Sequence, residues 1–305
     1  MTLLELSGEY RASAAALRER VLLLEHRLRG ADGDGRRLLE GRIRLLRAMG
    51  REARELAARG ALRSGAGLVY VGVPREIYPI TAIKCEEAMA FPLPEEYTAI
   101  LEKAAACDVA VIGPGLGRQP RTERLVRSLL CDLTIPVVLD ADGINALAGH
   151  IDVLDSRSAP TVLTPHAGEF ARLTGGSLPV RDPVAAARGF AKAHRCTLVL
   201  KGRGTVTAAQ EGKVWLCGTG NPGMAKGGSG DVLAGMIAAL LGQKHLNGPG
   251  TSTAETAALA VWLHGKAGDR CAEQYGEYAM LPSDLIEMLP QVLKENEERR
   301  EQSAL

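Results

Sequence analysis

The chain carries almost no net charge: 37 Lys and Arg stand against 36 Asp and Glu, a balance of +1 over 305 residues. A surface that even gives no electrostatic footprint for nucleic acid or for an acidic partner. No stretch reaches the roughly 18–20 uncharged apolar residues that a membrane span requires. Glu5 and Glu9 interrupt the start before a basic-then-apolar leader could form. The six cysteines (Cys85, Cys107, Cys131, Cys196, Cys217 and Cys271) form no Cys-x-x-Cys pair and no cluster with His at metal-ligand spacing. Apolar neighbours, as in Thr-Leu-Val-Leu after Cys196, read most of them as core thiols. These absences point to a soluble, cytoplasmic, globular protein with no nucleic-acid or membrane partner. Lysine is also absent from residues 1–60, which hold 13 Arg and 9 acids for a local +4, against −3 over residues 61–305. Two compositions share one chain.

What is present divides at the same place. Leu3, Leu6, Tyr10, Ala14, Leu17, Val21, Leu24 and Leu28 recur at three- and four-residue spacing, the stripe of an amphipathic helix. Gly30-Ala31-Asp32-Gly33-Asp34-Gly35 breaks it. A second stripe follows at Leu39, Ile43, Leu46, Ala53 and Leu56, so residues 1–52 read as an antiparallel helical hairpin with a solvated, Arg-rich face. Beyond it, short β-branched runs alternate with helical patterns. Strands are expected at Gly67–Val73, Val109–Gly113, Pro136–Asp140, Thr161–Thr164, Thr197–Lys201, Thr205–Ala208 and Lys213–Cys217, the last two joined as a hairpin through Glu211-Gly212. Helices are expected at Thr122–Leu133, Gly143–Leu147, Glu169–Leu173, Pro183–Ala193, Asp231–Leu241 and Thr253–Asp269. Alternation of this kind predicts an α/β fold, a mainly parallel sheet in a three-layer α/β/α sandwich. Residues 53–290 form this domain, and a charged tail at 291–305 is expected to fray from Lys294.

The segment richest in chemistry runs Asn221-Pro222-Gly223-Met224-Ala225-Lys226-Gly227-Gly228-Ser229-Gly230-Asp231 into an apolar helix. Glycines let backbone N–H groups turn inward, and the helix start adds unpaired donors and a positive dipole end, which together suit phosphates. No Gly-Lys-Ser/Thr closes the segment, so it is not a P-loop. Asp231 fits two roles, an ordinary helix cap or the acceptor of a proton from a hydroxyl that attacks a phosphoryl group. Four strand ends carry further glycine and polar groups: Gly113-Pro-Gly115-Leu-Gly117, Asp140-Ala-Asp142-Gly-Ile-Asn145, Thr164-Pro-His166-Ala-Gly-Glu169 and Lys201-Gly202-Arg203-Gly204-Thr205. Open α/β sheets bind ligands beyond the carboxyl ends of their strands, so four such ends in series mark one site.

In this order these motifs resemble the signature of the NAD(P)H-hydrate dehydratases, a family of the ribokinase-like superfamily. Leu56 to Tyr70 and Leu263-His-Gly-Lys-Ala-Gly-Asp269 fit the same pattern, and the resemblance runs from about residue 53 to about residue 290. It implies a repair reaction. The S-form of hydrated NADH or NADPH is phosphorylated on its ring hydroxyl from ADP or ATP with Mg²⁺, and phosphate then leaves to restore the ring. It also implies the roles. Asp231 is the base; Asn221 through Gly230 hold the nucleotide phosphates; Lys201, Gly202, Arg203, Gly204 and Thr205 hold the AMP portion. Ala53, Gly115, Gly117, Asp142, Asn145, His166 and Asp231 contact the hydrated dinucleotide, and Glu169 organises Mg²⁺ through water. A homo-oligomer, in the resemblance a tetramer, is implied as well. The family's opening β-strand and glycine-rich loop are unmatched except at Ala53. A sheet short of one strand and a substrate pocket short of one wall are therefore the expectation, with impaired activity as its consequence unless the hairpin or a second subunit covers the gap. A small-alcohol kinase and a nucleotide-binding remnant with a partner-binding hairpin are the alternative readings.

Overall fold

The computed structural model describes residues 52–243 and 250–304, so the hairpin read at 1–52 lies outside the described residues except for its last position. Eight strands form among them: β1 Tyr70–Val73, β2 Met89–Pro92, β3 Ala110–Ile112, β4 Val137–Leu139, β5 Thr161–Leu163, β6 Thr197–Leu200, β7 Val206–Ala208 and β8 Val214–Leu216. Strands β3 to β8 make one six-stranded sheet in sequence order. Its first four strands are parallel, and β6–β7–β8 continue it antiparallel. β1 and β2 pair parallel as a separate two-stranded sheet. All seven expected strands form; β2, between Glu86-Glu87 and two prolines, was not expected.

The parallel strands are short apolar runs because both faces are buried. Val137, Leu139, Leu163, Leu198 and Leu200 point into one core with the helices Pro120–Asp132, Ala167–Thr174 and Pro183–Ala193. Val138, Val162 and Val199 point into the other, against the helices Ser229–Gly242, Thr253–Ala279 and Pro282–Ala304. The Ser229 helix is buried continuously from Val232 to Leu241, as a helix apolar on every side must be. The three-layer sandwich predicted from alternation is the one observed.

A helix over residues 52–63 ties the two sheets together. Its Leu56 joins the core that holds Val109 and Val111, while Ala58 and Leu62 join Val71 and Val73 of β1. It crosses the Ser229 helix in backbone contact. A Cβ on Gly235 would lie 1.9 Å from the Ala57 carbonyl oxygen, and one on Gly60 would lie 2.7 Å from that of Val232. The Ala- and Gly-rich run 57–61 is therefore part of the domain core.

Three expectations need correction. The tail is not irregular from Lys294: the backbone is helical from Pro282 to Ala304. Leu285, Ile286, Leu289 and Val292 are buried along one stripe, and Glu295 pairs with Arg270 at 3.0 Å. The Thr253 helix likewise runs past Asp269 to Ala279, broken only where Gly276 takes φ 74°. The cysteines were read mostly as core thiols, but only Cys196 and Cys271 are buried; all six are free, Cys85, Cys107 and Cys217 are half-buried and Cys131 is exposed.

Candidate active site

Four chain segments leave the carboxyl ends of β3, β4, β5 and β6 side by side. At β3 the turn begins with Gly113 at φ 139°, and a Cβ there would sit 1.7 Å from the Asp140 carbonyl oxygen. Only glycine lets this turn press against the end of β4. Gly143 returns the contact, its would-be Cβ lying 2.3 Å from the Ile112 carbonyl oxygen. Gly113→Ala is expected to cost at least about 3 kcal/mol, from combined strain and overpacking, measurable as a lower urea midpoint. A stability equal to the parent chain would show that the turn is less constrained than its contacts indicate.

The segment after β4 supports that turn. Asp142, buried, accepts the Gly117 N–H at 2.9 Å, and Arg172 Nε donates to Asn145 Oδ1 at 3.1 Å. Ala141 between the two acids is held at φ 50°, an uncommon conformation for a residue with a Cβ. Arg54, next to Ala53, donates to the Gly115 carbonyl. The start of the first described helix therefore reaches the same turn. Thus Gly115, Gly117, Asp142 and Asn145 are gathered on one rim, Asp142 and Asn145 mainly as its internal braces, and Ala53 is one residue from the Arg54 that touches it.

His166 caps the helix Ala167–Thr174. Its Nδ1 accepts the N–H groups of Gly168 and Glu169 at 3.0 and 3.3 Å, while Glu169 Oε2 accepts the His166 N–H at 2.9 Å. This reciprocal capping box leaves the ring proton on Nε2. Glu169 is 4% exposed, and burial raises its pKa, with Asp140 adding to the shift and Lys201 opposing it most strongly.

Lys201 is the centre of the site. It is not a solvated surface lysine: its ammonium lies 2.6 Å from Oδ1 of Asp140, which is 2% exposed and also accepts the Thr164 hydroxyl at 2.7 Å. The Lys201 pKa is raised although burial works against the charge, because Asp140, Glu169 and Asp231 surround it. A Cβ on Gly230 would come within 3.0 Å of Lys201 Nζ, so the ammonium lies directly beneath the first turn of the Ser229 helix. Asp231 stands in that turn. Its N-cap is Gly228 at φ 106°, and no side chain caps the helix. An uncapped helix start over a buried cation is an anion site with one carboxylate beside it.

The other expected nucleotide residues border this point. Gly202 to Thr205 form a tight turn, closed by the Thr205 hydroxyl donating to the Gly202 carbonyl at 3.1 Å. The Cys217 N–H donates to the Thr205 carbonyl at 3.0 Å, which brings the 202–205 turn alongside the loop leading to Asn221. Pro222–Met224 is one 3₁₀ turn, capped by Asn221. Lys226 is turned away, its ammonium donating to the Tyr278 carbonyl at 2.6 Å and to that of Met280. It ties the loop to the end of the Thr253 helix.

Asp140, Thr164, Arg172 and His264 were not among the expected site residues, although each stands in or beside a motif. His264 is buried behind Ser229, and burial lowers its pKa from 6.5 to about 4, aided by Lys201 and opposed by a hydrogen bond with the Ser229 backbone. A depressed folded-state pKa contributes stability above pH 6.5 that is lost as pH falls toward 4. At 1.36 kcal/mol per unit, the loss is about 3 kcal/mol. His264→Asn should flatten the dependence of unfolding free energy on pH across that window by about one proton. An unchanged slope would mean that the imidazole is protonated in the folded chain.

Known proteins similar to this chain fall into one family. The family model for NAD(P)H-hydrate dehydratase matches residues 51–291. A bifunctional NAD(P)H-hydrate repair enzyme Nnr from Moorella thermoacetica is 45% identical over 257 residues, covering 81% of this chain and 47% of that protein. The Escherichia coli protein of the same name is 37% identical over 257 residues, covering 82% of this chain and 47% of its own length. The chain therefore spans about half the length of the curated relatives it matches. The ADP/ATP-dependent NAD(P)H-hydrate dehydratase from Bacillus subtilis, co-crystallised with ATP/Mg²⁺, aligns with a TM-score of 0.68 at 32% identity, over 81% of this chain and 86% of that one. A ribokinase-like superfamily protein from Enterococcus faecalis aligns equally well, with a TM-score of 0.68 at 28% identity over 80% and 82% of the two chains. A family model spanning most of the sequence, a relative at 45% identity and the ordered strand-end motifs give one answer: the chain belongs to the NAD(P)H-hydrate dehydratase family and has a ribokinase-like α/β fold.

Proposed function

We propose that the chain dehydrates the S-form of hydrated NADH or NADPH at the expense of ADP or ATP, as a hydro-lyase of metabolite repair. One observation carries the reading: the uncapped, glycine-built start of the Ser229 helix holds Asp231 directly above the Lys201–Asp140 pair. The helix N–H groups, its dipole and the loop from Asn221 to Gly230 take the nucleotide phosphates. The turn from Lys201 to Thr205 takes the AMP portion through its backbone, since the Lys201 side chain is committed to the carboxylates. Ala53, Gly115, Gly117, Asp142, Asn145 and His166 form the rim that receives the hydrated nicotinamide. Asp231 accepts the proton of the ring hydroxyl as that oxygen takes the terminal phosphoryl group, leaving AMP or ADP. Phosphate then leaves with the C–O bonding pair, and the neighbouring carbon gives its proton to the departing phosphate or to water while the C–H pair restores the double bond.

Among the described residues no group of three His, Cys, Asp or Glu could cage a metal. Mg²⁺ uses phosphate oxygens and water with one or two carboxylates, so the residues fit a nucleotide-borne Mg²⁺. It would neutralise phosphate charge. Glu169, folded into its capping box, would reach it only through water. Hydrate should stimulate phosphate release from ADP or ATP, whereas a hydroxymethyl-pyrimidine or thiazole alcohol should not. Consumption of nucleotide with such an alcohol alone, its phosphoryl group ending on the alcohol rather than as free phosphate, would replace this reading with a small-alcohol kinase.

The homo-oligomer, by family resemblance a tetramer, and the cytoplasmic setting belong to this same proposal. No described helix is long and apolar enough to cross a membrane.

A further inference from the structure

The Leu263–Asp269 motif lies on one helix, away from the strand ends, and the scheme above gives it no task. From its contacts we infer that Asp269 is a positioning residue that sets the shape of the nucleotide loop, with the helix face around it acting as a rack. The inference rests on reading the loop as the nucleotide site.

Both carboxylate oxygens of Asp269 lie 3.1 Å from the Gly220 N–H, and Oδ1 also accepts from Asn221 Nδ2 at 3.2 Å. The second proton of that amide goes to the Gly268 carbonyl at 2.8 Å, which leaves Asn221 Oδ1 to accept the Gly223 N–H at 3.0 Å. Asp269 and Gly268 thus decide which way the Asn221 amide faces, and the amide in turn caps the 3₁₀ turn Pro222–Met224. An amide at residue 269 would present a donor to a donor. A carboxylate is acceptor-only, and that is what two N–H donors require.

The rest of the face sets the height of the loop. A Cβ on Gly265 would lie 2.2 Å from Thr219 Oγ1, and a Cβ on Gly268 would lie 2.2 Å from Met224 Sδ. The Thr219 hydroxyl donates to the Trp262 carbonyl at 3.0 Å. Loop and helix therefore meet backbone to side chain, at a separation only glycine allows. An acid this close to phosphates costs binding unless its charge is occupied. Here both oxygens are, and the gain is a loop with its donors fixed before the nucleotide arrives.

Two measurements on the full chain test this. Asp269→Ala should weaken ADP binding, read by calorimetry without turnover, by about tenfold or more. In the ligand-free variant, amide exchange at Gly220 and Gly223 should quicken by a similar factor, while exchange in the sheet is unchanged. Asp269→Asn, which keeps one acceptor for the Gly220 N–H, should recover part of both. Unchanged exchange at Gly220 and Gly223 overturns the inference. So does faster exchange across the whole chain with a fall in melting temperature, which would make Asp269 merely structural. A parent chain that binds neither ADP nor ATP would sink the nucleotide reading instead, and the exchange arm would still decide the rack.

Discussion

Asp231→Asn should lower turnover of the hydrate by about 10²–10⁴-fold, the range lost when a positioned general base is removed. The substitution keeps the shape of the side chain and its place in the first turn of the Ser229 helix, so the fold and the loop should survive it. ADP binding should be unchanged or tighter, because a negative charge next to phosphates has been removed. That combination separates a base from a helix cap. Loss of a cap would lower stability and leave the chemistry in place, whereas loss of the base leaves stability and removes the rate. Turnover equal to that of the parent chain would end the assignment.

Lys201→Met should be the most destabilising single change in the site. Asp140 is almost fully buried, and its counter-cation is only one-fifth exposed. Removing one partner of such a pair costs about 3–5 kcal/mol, because the other charge is left buried and unpaired. The raised Lys201 pKa means that this contribution is complete at neutral pH and is lost only above the ordinary lysine range. Glu169 would respond too. Lys201 is the strongest influence holding its pKa down, so the variant should raise the Glu169 pKa further above the ordinary carboxylate value. The double variant Asp140→Asn/Lys201→Met should be more stable than Lys201→Met alone, since it removes both charges together. Urea titration measures this. A cost under about 1 kcal/mol for Lys201→Met would place the pair with ordinary surface ion pairs.

The fold was legible wherever a short β-branched run ended in glycine or polar residues. That pattern marks β3, β4, β5 and β6, and the antiparallel pair β7–β8 followed from Glu211-Gly212 between two such runs. β2 was hidden because Met89-Ala-Phe-Pro92 is partly exposed, lacks β-branched residues and ends in proline, which is tolerated only at a strand's margin. The helix Pro282–Ala304 was not expected, because charge density from Lys294 outweighed the stripe Leu285, Ile286, Leu289 and Val292.

In the site, the sequence pattern placed Asp231 at a helix start and Gly115, Gly117, Asp142, Asn145 and His166 at strand ends, whereas Ala53 came only from the family resemblance. It could not tell that Lys201 turns inward, because a lysine after a buried strand reads equally as a solvated end. Only the Asp140 carboxylate, 61 positions away in the chain, decides between the two. Asp269 was quoted within a motif yet had no role, because its partners Gly220 and Asn221 are brought to it by the tertiary fold.

The central claim is that one site joins nucleotide phosphate to a hydrated nicotinamide. The direct measurement incubates the folded chain with hydrated NADH or NADPH, Mg²⁺ and ADP or ATP, and follows absorbance at the reduced-nicotinamide wavelength. The account predicts recovery of that absorbance, mole for mole with phosphate released, dependent on nucleotide and absent with Asp231→Asn. A folded chain that binds nucleotide yet leaves the hydrate unchanged would contradict it.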